Sequence, residues 1–192
     1  MRTDICLSRD LSSVKVPLVN KLALDSTLRH APVSEQPHSI VIYTDGSAFS
    51  SDQCASWASC VAKVFQDERW FFEGYLTAKV TIVPDSGQFL GASTPSSDVA
   101  ELSALAWAAI WAISVYGDGP WPCVHIRYDS TSASGAAQSL FFSKKQPILA
   151  KVTEVLWLFI ARRADVRWQH IKGHSNEPFN ELADPVADAA IR

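Results

Sequence analysis

The pattern of apolar and polar positions changes character twice along the chain. Up to residue 37 no period is sustained: Pro17, Pro32 and Pro37 punctuate scattered polar residues, and only Pro17–Leu28 has the spacing of a short helix. This stretch reads as a linker or N-terminal arm (1–37), followed by one domain over residues 38–192. From His38 the runs become short, apolar and β-branched. Ser39-Ile40-Val41-Ile42-Tyr43-Thr44 predicts a buried strand that closes at Asp45-Gly46. Further strands are expected over Cys54–Phe65 and Arg69–Leu76, with shorter extended pieces at Lys79–Val83 and Gln88–Ala92 around the Pro84-Asp85-Ser86-Gly87 turn.

After that the period turns helical. Ala100–Val115 is rich in Ala, Leu and Trp and stops at Gly117-Asp118-Gly119-Pro120. Val124–Tyr128 alternates as a strand, Ser130–Phe141 predicts a short helix, and Pro147–Arg163 a longer one with its proline in the first turn. A last strand over Val166–Ile171 leads through Lys172-Gly173-His174 to a final helix. A strand meander followed by alternating helices and strands predicts an α/β fold, in which an antiparallel edge is built first and a right-handed crossover then adds parallel strands.

Composition narrows the class. A chain of 192 residues with 47% hydrophobic content can bury its own core without disulfides or a structural metal. Cys6, Cys54, Cys60 and Cys123 form no CxxC pair, which predicts free thiols in a reducing compartment. The N-terminus has no long apolar run, so the expectation is an intracellular, nuclear or cytoplasmic protein that is not secreted. The apolar run Val99–Tyr116 carries Glu101 and reads as a buried helix rather than a membrane span. A net charge of −3 argues against a stand-alone, tight nucleic-acid binder. Locally, however, Lys144, Lys145, Lys151, Arg162, Arg163, Arg167 and Lys172 outnumber Glu154 and Asp165.

Four acids sit at informative places. Asp45 follows the first strand, Glu101 opens the long helix, Asp129 follows the Val124–Tyr128 strand, and Asp184 lies in the final helix. Each has an ordinary explanation by itself: a hairpin turn for Asp45-Gly46, a capping box for Asp98 and Glu101, a helix N-cap for Asp129, a solvated helix acid for Asp184. Their joint placement is not explained in that way. If the strands before Asp45 and Asp129 are parallel neighbours, both carboxylates emerge at the carboxyl edge, where open α/β sheets place ligands. Clustered carboxylates repel unless a cation compensates, and oxygen-only ligation selects a hard ion. Two such ions about 4 Å apart serve phosphoryl transfer, which here would be attack of water on a phosphodiester.

Tyr43-Thr44-Asp45-Gly46-Ser47, Ala100-Glu101-Leu102, Tyr128-Asp129-Ser130, and Lys172-Gly173-His174 followed by Asn180-Glu181-Leu182-Ala183-Asp184 resemble the type 1 ribonuclease H domain, including its reverse-transcriptase-associated branch. The resemblance covers residues 38–192. It implies a five-stranded mixed sheet, with strands 1–3 antiparallel and strands 1, 4 and 5 parallel, flanked by helices. It also implies Mg²⁺-dependent cleavage of the RNA strand of RNA–DNA hybrids by two ions, with Mn²⁺ as a substitute. Asp45, Glu101, Asp129 and Asp184 would be the metal ligands, with Asp45 bridging, and His174 would assist proton transfer or product release. Ser47, Ser96, Ser97, Ser130 and Asn180 are the substrate-contact candidates. The implied setting is a retroelement polyprotein, in which the domain is monomeric, off the membrane and covalently linked to a reverse transcriptase.

The chain departs from that pattern in three places. Residues 66–97 are longer than compact members need, which predicts a broken third strand or an extra hairpin. Pro95-Ser96-Ser97-Asp98 replaces a Thr/Asn-rich stretch, and there is no room for an extra basic helix, a role the 140–172 lysines and arginines partly fill. Pro185 directly after Asp184 predicts a final helix that kinks or begins late. Two alternatives remain open: a silent binding module of the same fold, and another nuclease of the superfamily such as a transposase or resolvase.

Overall fold

Buried on both faces, the first strand explains its own sequence. In the computed structural model, which describes residues 5–15, 35–49, 54–173 and 177–191, β1 (Ser39–Phe49) is the middle strand of a five-stranded sheet. Ile40 and Ile42 point into one core, Val41 and Tyr43 into another, so successive residues are all apolar. Antiparallel β2 (Cys54–Val64) and β3 (Trp70–Lys79) lie on one side of β1, and parallel β4 (Cys123–Tyr128) and β5 (Val166–His170) on the other, in the order β3-β2-β1-β4-β5. This is the mixed five-stranded sheet expected from the sequence.

One face is covered by α1 (Ser97–Tyr116), α2 (Thr131–Ala137) and α3 (Pro147–Ala161), the other by α4 (Asn180–Ile191). Helix α1 is the crossover between β3 and β4. Its alanines 100, 104, 108 and 112 are fully buried, and small side chains let sheet and helix approach closely. The Trp157 indole donates to the Leu105 carbonyl at 3.1 Å and the Ser59 hydroxyl to the Ala104 carbonyl at 3.0 Å. By length and composition alone α1 could cross a membrane. Its place between sheet and α3 accounts for that apolarity.

The structure corrects the sequence reading in several places. β1 does not close at Asp45-Gly46 but continues to Phe49, paired throughout with β2. Gly46 is small for a different reason: a Cβ there would lie 2.5 Å from the Glu101 amide nitrogen and 2.7 Å from the Ala100 carbonyl carbon. Gly46→Ala is therefore expected to destabilise the chain by about 1–3 kcal/mol through overpacking and to shift Glu101, which thermal melting and metal-binding titrations would detect. Of the extended pieces expected at Lys79–Val83 and Gln88–Ala92, only Lys79 is strand, as the last residue of β3, and the rest is turns and irregular chain. Neither a broken strand nor an extra hairpin forms. Buried Gln146 organises the end of this loop, accepting from the Ser93 amide and donating to the Thr94 hydroxyl, each at 3.1 Å.

The N-terminal residues include a structured piece. Ser8 bridges Tyr75 on the edge strand β3 by paired backbone bonds of 2.9 and 2.8 Å. Gly74, at φ 142°, makes room for the crossing, since a Cβ would meet the Ser8 carbonyl oxygen at 2.6 Å. Residues 5–15 thereby cover part of an edge that would otherwise expose unpaired backbone groups. The helix expected at Pro17–Leu28 lies outside the described residues. Pro185 sits inside a continuous α4, so the helix does not begin late.

Candidate active site

Parallel pairing of β1 with β4 sets Thr44 against Tyr128, so the next residue on each chain, Asp45 and Asp129, emerges at the same edge. Glu101 reaches them from α1, whose backbone passes over Gly46. Ligand oxygens of Asp45, Glu101 and Asp129 all lie within 4.8 Å of one another. From the opposite face of the sheet, α4 brings Asp184, Asn180 and Glu181, which with Asp45, Asp129 and Gly173 line a cleft of about 90 Å³.

The ordinary explanations of Asp45, Glu101 and Asp129 do not hold locally. The N-cap of α1 is Ser96, so the third helical position of a capping box falls on Val99, not Glu101. The N-cap of α2 is Ser130, whose hydroxyl accepts from the Ala133 amide at 3.3 Å, which leaves the Asp129 side chain out of that role. Asp45 is held by a bond from the Gly46 amide to its Oδ1 at 2.7 Å.

Burial and mutual repulsion dominate the electrostatics. Asp45 is pushed up to about 8, first by burial and then by the Asp129 and Asp184 carboxylates. Glu101, 8% exposed, is raised well above the ordinary glutamate range, again by burial first and then by Asp45 and Asp129. Asp129 Oδ1 and Asn180 Oδ1 are buried yet accept no hydrogen bond among the described residues. Buried acceptors without donors, set among carboxylates, fit a hard divalent cation with its water shell. A pH dependence follows for the protein without metal. The unfolded chain releases the Asp45 proton near 3.8 while the folded chain keeps it to about 8. Over that window the folded state binds more protons, so stability falls as pH rises. Melting temperatures in EDTA are expected to decline from pH 5 to pH 8, and Asp45→Asn to flatten the decline.

The remaining candidates are spread more widely. Ser47 donates to Asp188 Oδ1 at 2.6 Å. Ser96 lies, with Asp98, Ser93, Thr94, Lys144 and Lys145, along a separate groove of about 570 Å³, and Ser97 is exposed in the first turn of α1. His174 lies outside the described residues. Of the basic surplus, Lys144 and Lys145 line the groove, whereas Lys151 and Arg167 pair with Glu154 and Asp165, and Arg163 donates to the Phe159 carbonyl. Asp188 was not legible as a site residue, although it follows Asp184 by one helical turn and its charge also raises Asp45.

An acid-lined cleft at the carboxyl edge of a mixed α/β sheet is a site suited to hard cations. The RNase H family model matches residues 37–192. The chain belongs to the RNase H family and is an enzyme of the ribonuclease H class. A ribonuclease H of Moorella thermoacetica is 28% identical over 166 residues, 79% of this chain and 91% of the relative. LC11-RNase H1, solved in complex with an RNA/DNA hybrid, superposes with a TM-score of 0.56 at 19% identity, over 80% of this chain and 99% of that one. The protease-reverse transcriptase of prototype foamy virus superposes with a TM-score of 0.53 at 20% identity, over 83% of this chain but 22% of that one. The two structural likenesses establish the fold.

Proposed function

We propose that the chain is a Mg²⁺-dependent endonuclease that hydrolyses the RNA strand of RNA–DNA hybrids. The observation that carries this reading is the convergence of Asp45, Glu101 and Asp129 within 4.8 Å, beside buried acceptors that no donor meets among the described residues. Asp45, Glu101 and Asp129 would hold one ion, and Asp45 with Asp184 a second. When bound, such ions neutralise developing phosphoryl charge and bring the pKa of water into a useful range. Mn²⁺, another oxygen-preferring ion, would substitute.

The chain's own groups do the rest. The Gly46 amide fixes the Asp45 carboxylate, and Glu101 is buried on the α1 side of the cluster. Asn180, which lines the cleft, would contact the substrate, as would Ser47 and Ser130. Ser96, Lys144 and Lys145 would offer a hydroxyl and two cations to phosphates along the separate groove they line, and Ser97, exposed in the first turn of α1, a further hydroxyl. Selection of RNA by its 2′-hydroxyl would spare duplex DNA. The solved hybrid complex of LC11-RNase H1 supports the substrate class. Likeness to one part of a foamy-virus protease-reverse transcriptase supports a retroelement setting with a covalently linked polymerase. In that setting the domain works as a monomer inside the cell, with His174 as an auxiliary proton carrier.

Incubation with an end-labelled RNA–DNA hybrid tests the reading. RNA fragments are expected with Mg²⁺ and not with EDTA, and the DNA strand stays intact. A folded chain that leaves the RNA uncut in Mg²⁺ contradicts it and favours a silent binding module. His174→Ala is expected to slow turnover by about 10²-fold, the scale of an assisting acid–base group, and complete loss would contradict an auxiliary role.

A further inference from the structure

Beside the acidic cleft lies a polar network that the proposed chemistry does not use. Arg127 and Tyr43 are register partners on β4 and β1, each two residues before a cleft carboxylate. One terminal nitrogen of Arg127 donates to the Tyr43 hydroxyl at 2.7 Å and to Glu177 Oε1 at 3.1 Å, and the Tyr43 hydroxyl donates to Glu177 Oε2 at 3.3 Å. The guanidinium also lies over the Tyr43 and Trp70 rings, 5.3 and 5.8 Å from their centroids. Phe179 packs on Tyr43, Trp70 and Phe72.

Glu177 and Phe179 lead directly into α4. Their carbonyls accept the first helical bonds, from Glu181 at 2.9 Å and Ala183 at 3.1 Å. The anchored segment therefore launches the helix that carries Asn180, Glu181 and Asp184 into the cleft. Leu182, Val186 and Ala187 seat α4 on the sheet, but apolar contact is non-directional. An arginine shared between a carboxylate and a phenol has direction. The Arg127 side chain is 19% exposed and the Glu177 side chain 39%, so the arginine end of the pair is shielded while the carboxylate is partly open to solvent.

We propose that Arg127, through Glu177 and Tyr43, is a positioning residue that sets the head of α4, and with it Asn180 and Asp184, against Asp45 and Asp129. This role rests on the metal-dependent reading above. Its test uses the whole chain and the variants Arg127→Met and Glu177→Gln, the second removing the ion pair without opening a cavity should the first fail to fold. Three readouts apply: amide exchange of residues 177–184 in EDTA, the Mg²⁺ midpoint of thermal stabilisation, and kcat and KM on hybrid.

In both variants exchange of 177–184 is expected to rise about tenfold relative to β4. The Mg²⁺ midpoint should rise and kcat fall by about tenfold with KM nearly unchanged, the lower end of the range seen when groups behind a metal ligand are removed. The swap Arg127→Glu with Glu177→Arg should recover part of both effects. Variants that melt earlier but match wild type in exchange, midpoint and kcat would show a mere stabiliser and overturn the role alone. A wild-type chain whose melting Mg²⁺ does not shift overturns the metal reading, and this role with it.

Discussion

Asp45→Asn is expected to reduce hybrid cleavage by about 10³-fold or more, equivalent to roughly 4 kcal/mol of transition-state stabilisation. At the same time the fold should be retained and stability in EDTA at pH 8 should increase. The two effects have one origin. Asp45 is buried against Asp129 and Asp184, so in the absence of a cation its charge is a liability that an amide of the same shape removes. With a cation present that same charge is what the ion requires. Asp129→Asn should behave alike, because Ser130 rather than Asp129 caps α2. Cleavage by Asp45→Asn within tenfold of wild type would contradict the assignment, and unfolding of Asp129→Asn would make its role structural. Asp188→Asn, which removes the carboxylate bonded by Ser47 and the weakest of the charges that raise Asp45, should be milder than either.

Removal of divalent ions should abolish cleavage and shift stability in the opposite sense. An ion that binds only the folded chain adds RT ln(1 + [L]/Kd), or about 2.7 kcal/mol at a hundredfold excess over Kd. For a chain of this size that corresponds to a rise in melting temperature of roughly 5–10 °C. Moving from EDTA to millimolar Mg²⁺ at pH 8 should therefore raise Tm, and Asp45→Asn should cancel most of the gain. The difference should shrink toward pH 5, where protons replace the cation on Asp45 and Glu101. A Tm indifferent to Mg²⁺ at pH 8 would show that the carboxylates hold no ion.

Much of the architecture was legible because periodicity is a local property. The apolar run Ile40–Tyr43, the alternation at Val124–Tyr128 and the Ala-rich stretch after Asp98 report, in turn, burial on two faces, on one face and all round. Asp45, Glu101 and Asp129, which the fold brings within 4.8 Å of one another, were legible because oxygen-only ligation of a hard ion restricts residue type. What escaped depends on contacts between distant segments. Gly46 looks like a turn residue, yet its smallness serves the passage of α1, a neighbour more than fifty positions away in sequence. The 80–96 stretch resembles strand in its apolar content, but its end at Ser93 and Thr94 is held by Gln146, supplied by the approach to α3. Residues 5–15 carry no period because a single bridge to Tyr75 needs none. Asp188 resembles any acid at a helix end until β1 sets Ser47 against it.

The most direct test of the account is a crystal structure of the chain soaked in Mn²⁺, with the ion located by its anomalous scattering. One Mn²⁺ is expected among Asp45, Glu101 and Asp129 and a second about 4 Å away beside Asp184, the separation of a two-ion phosphoryl-transfer site. Anomalous density at neither position, or only at other surface carboxylates, would contradict it.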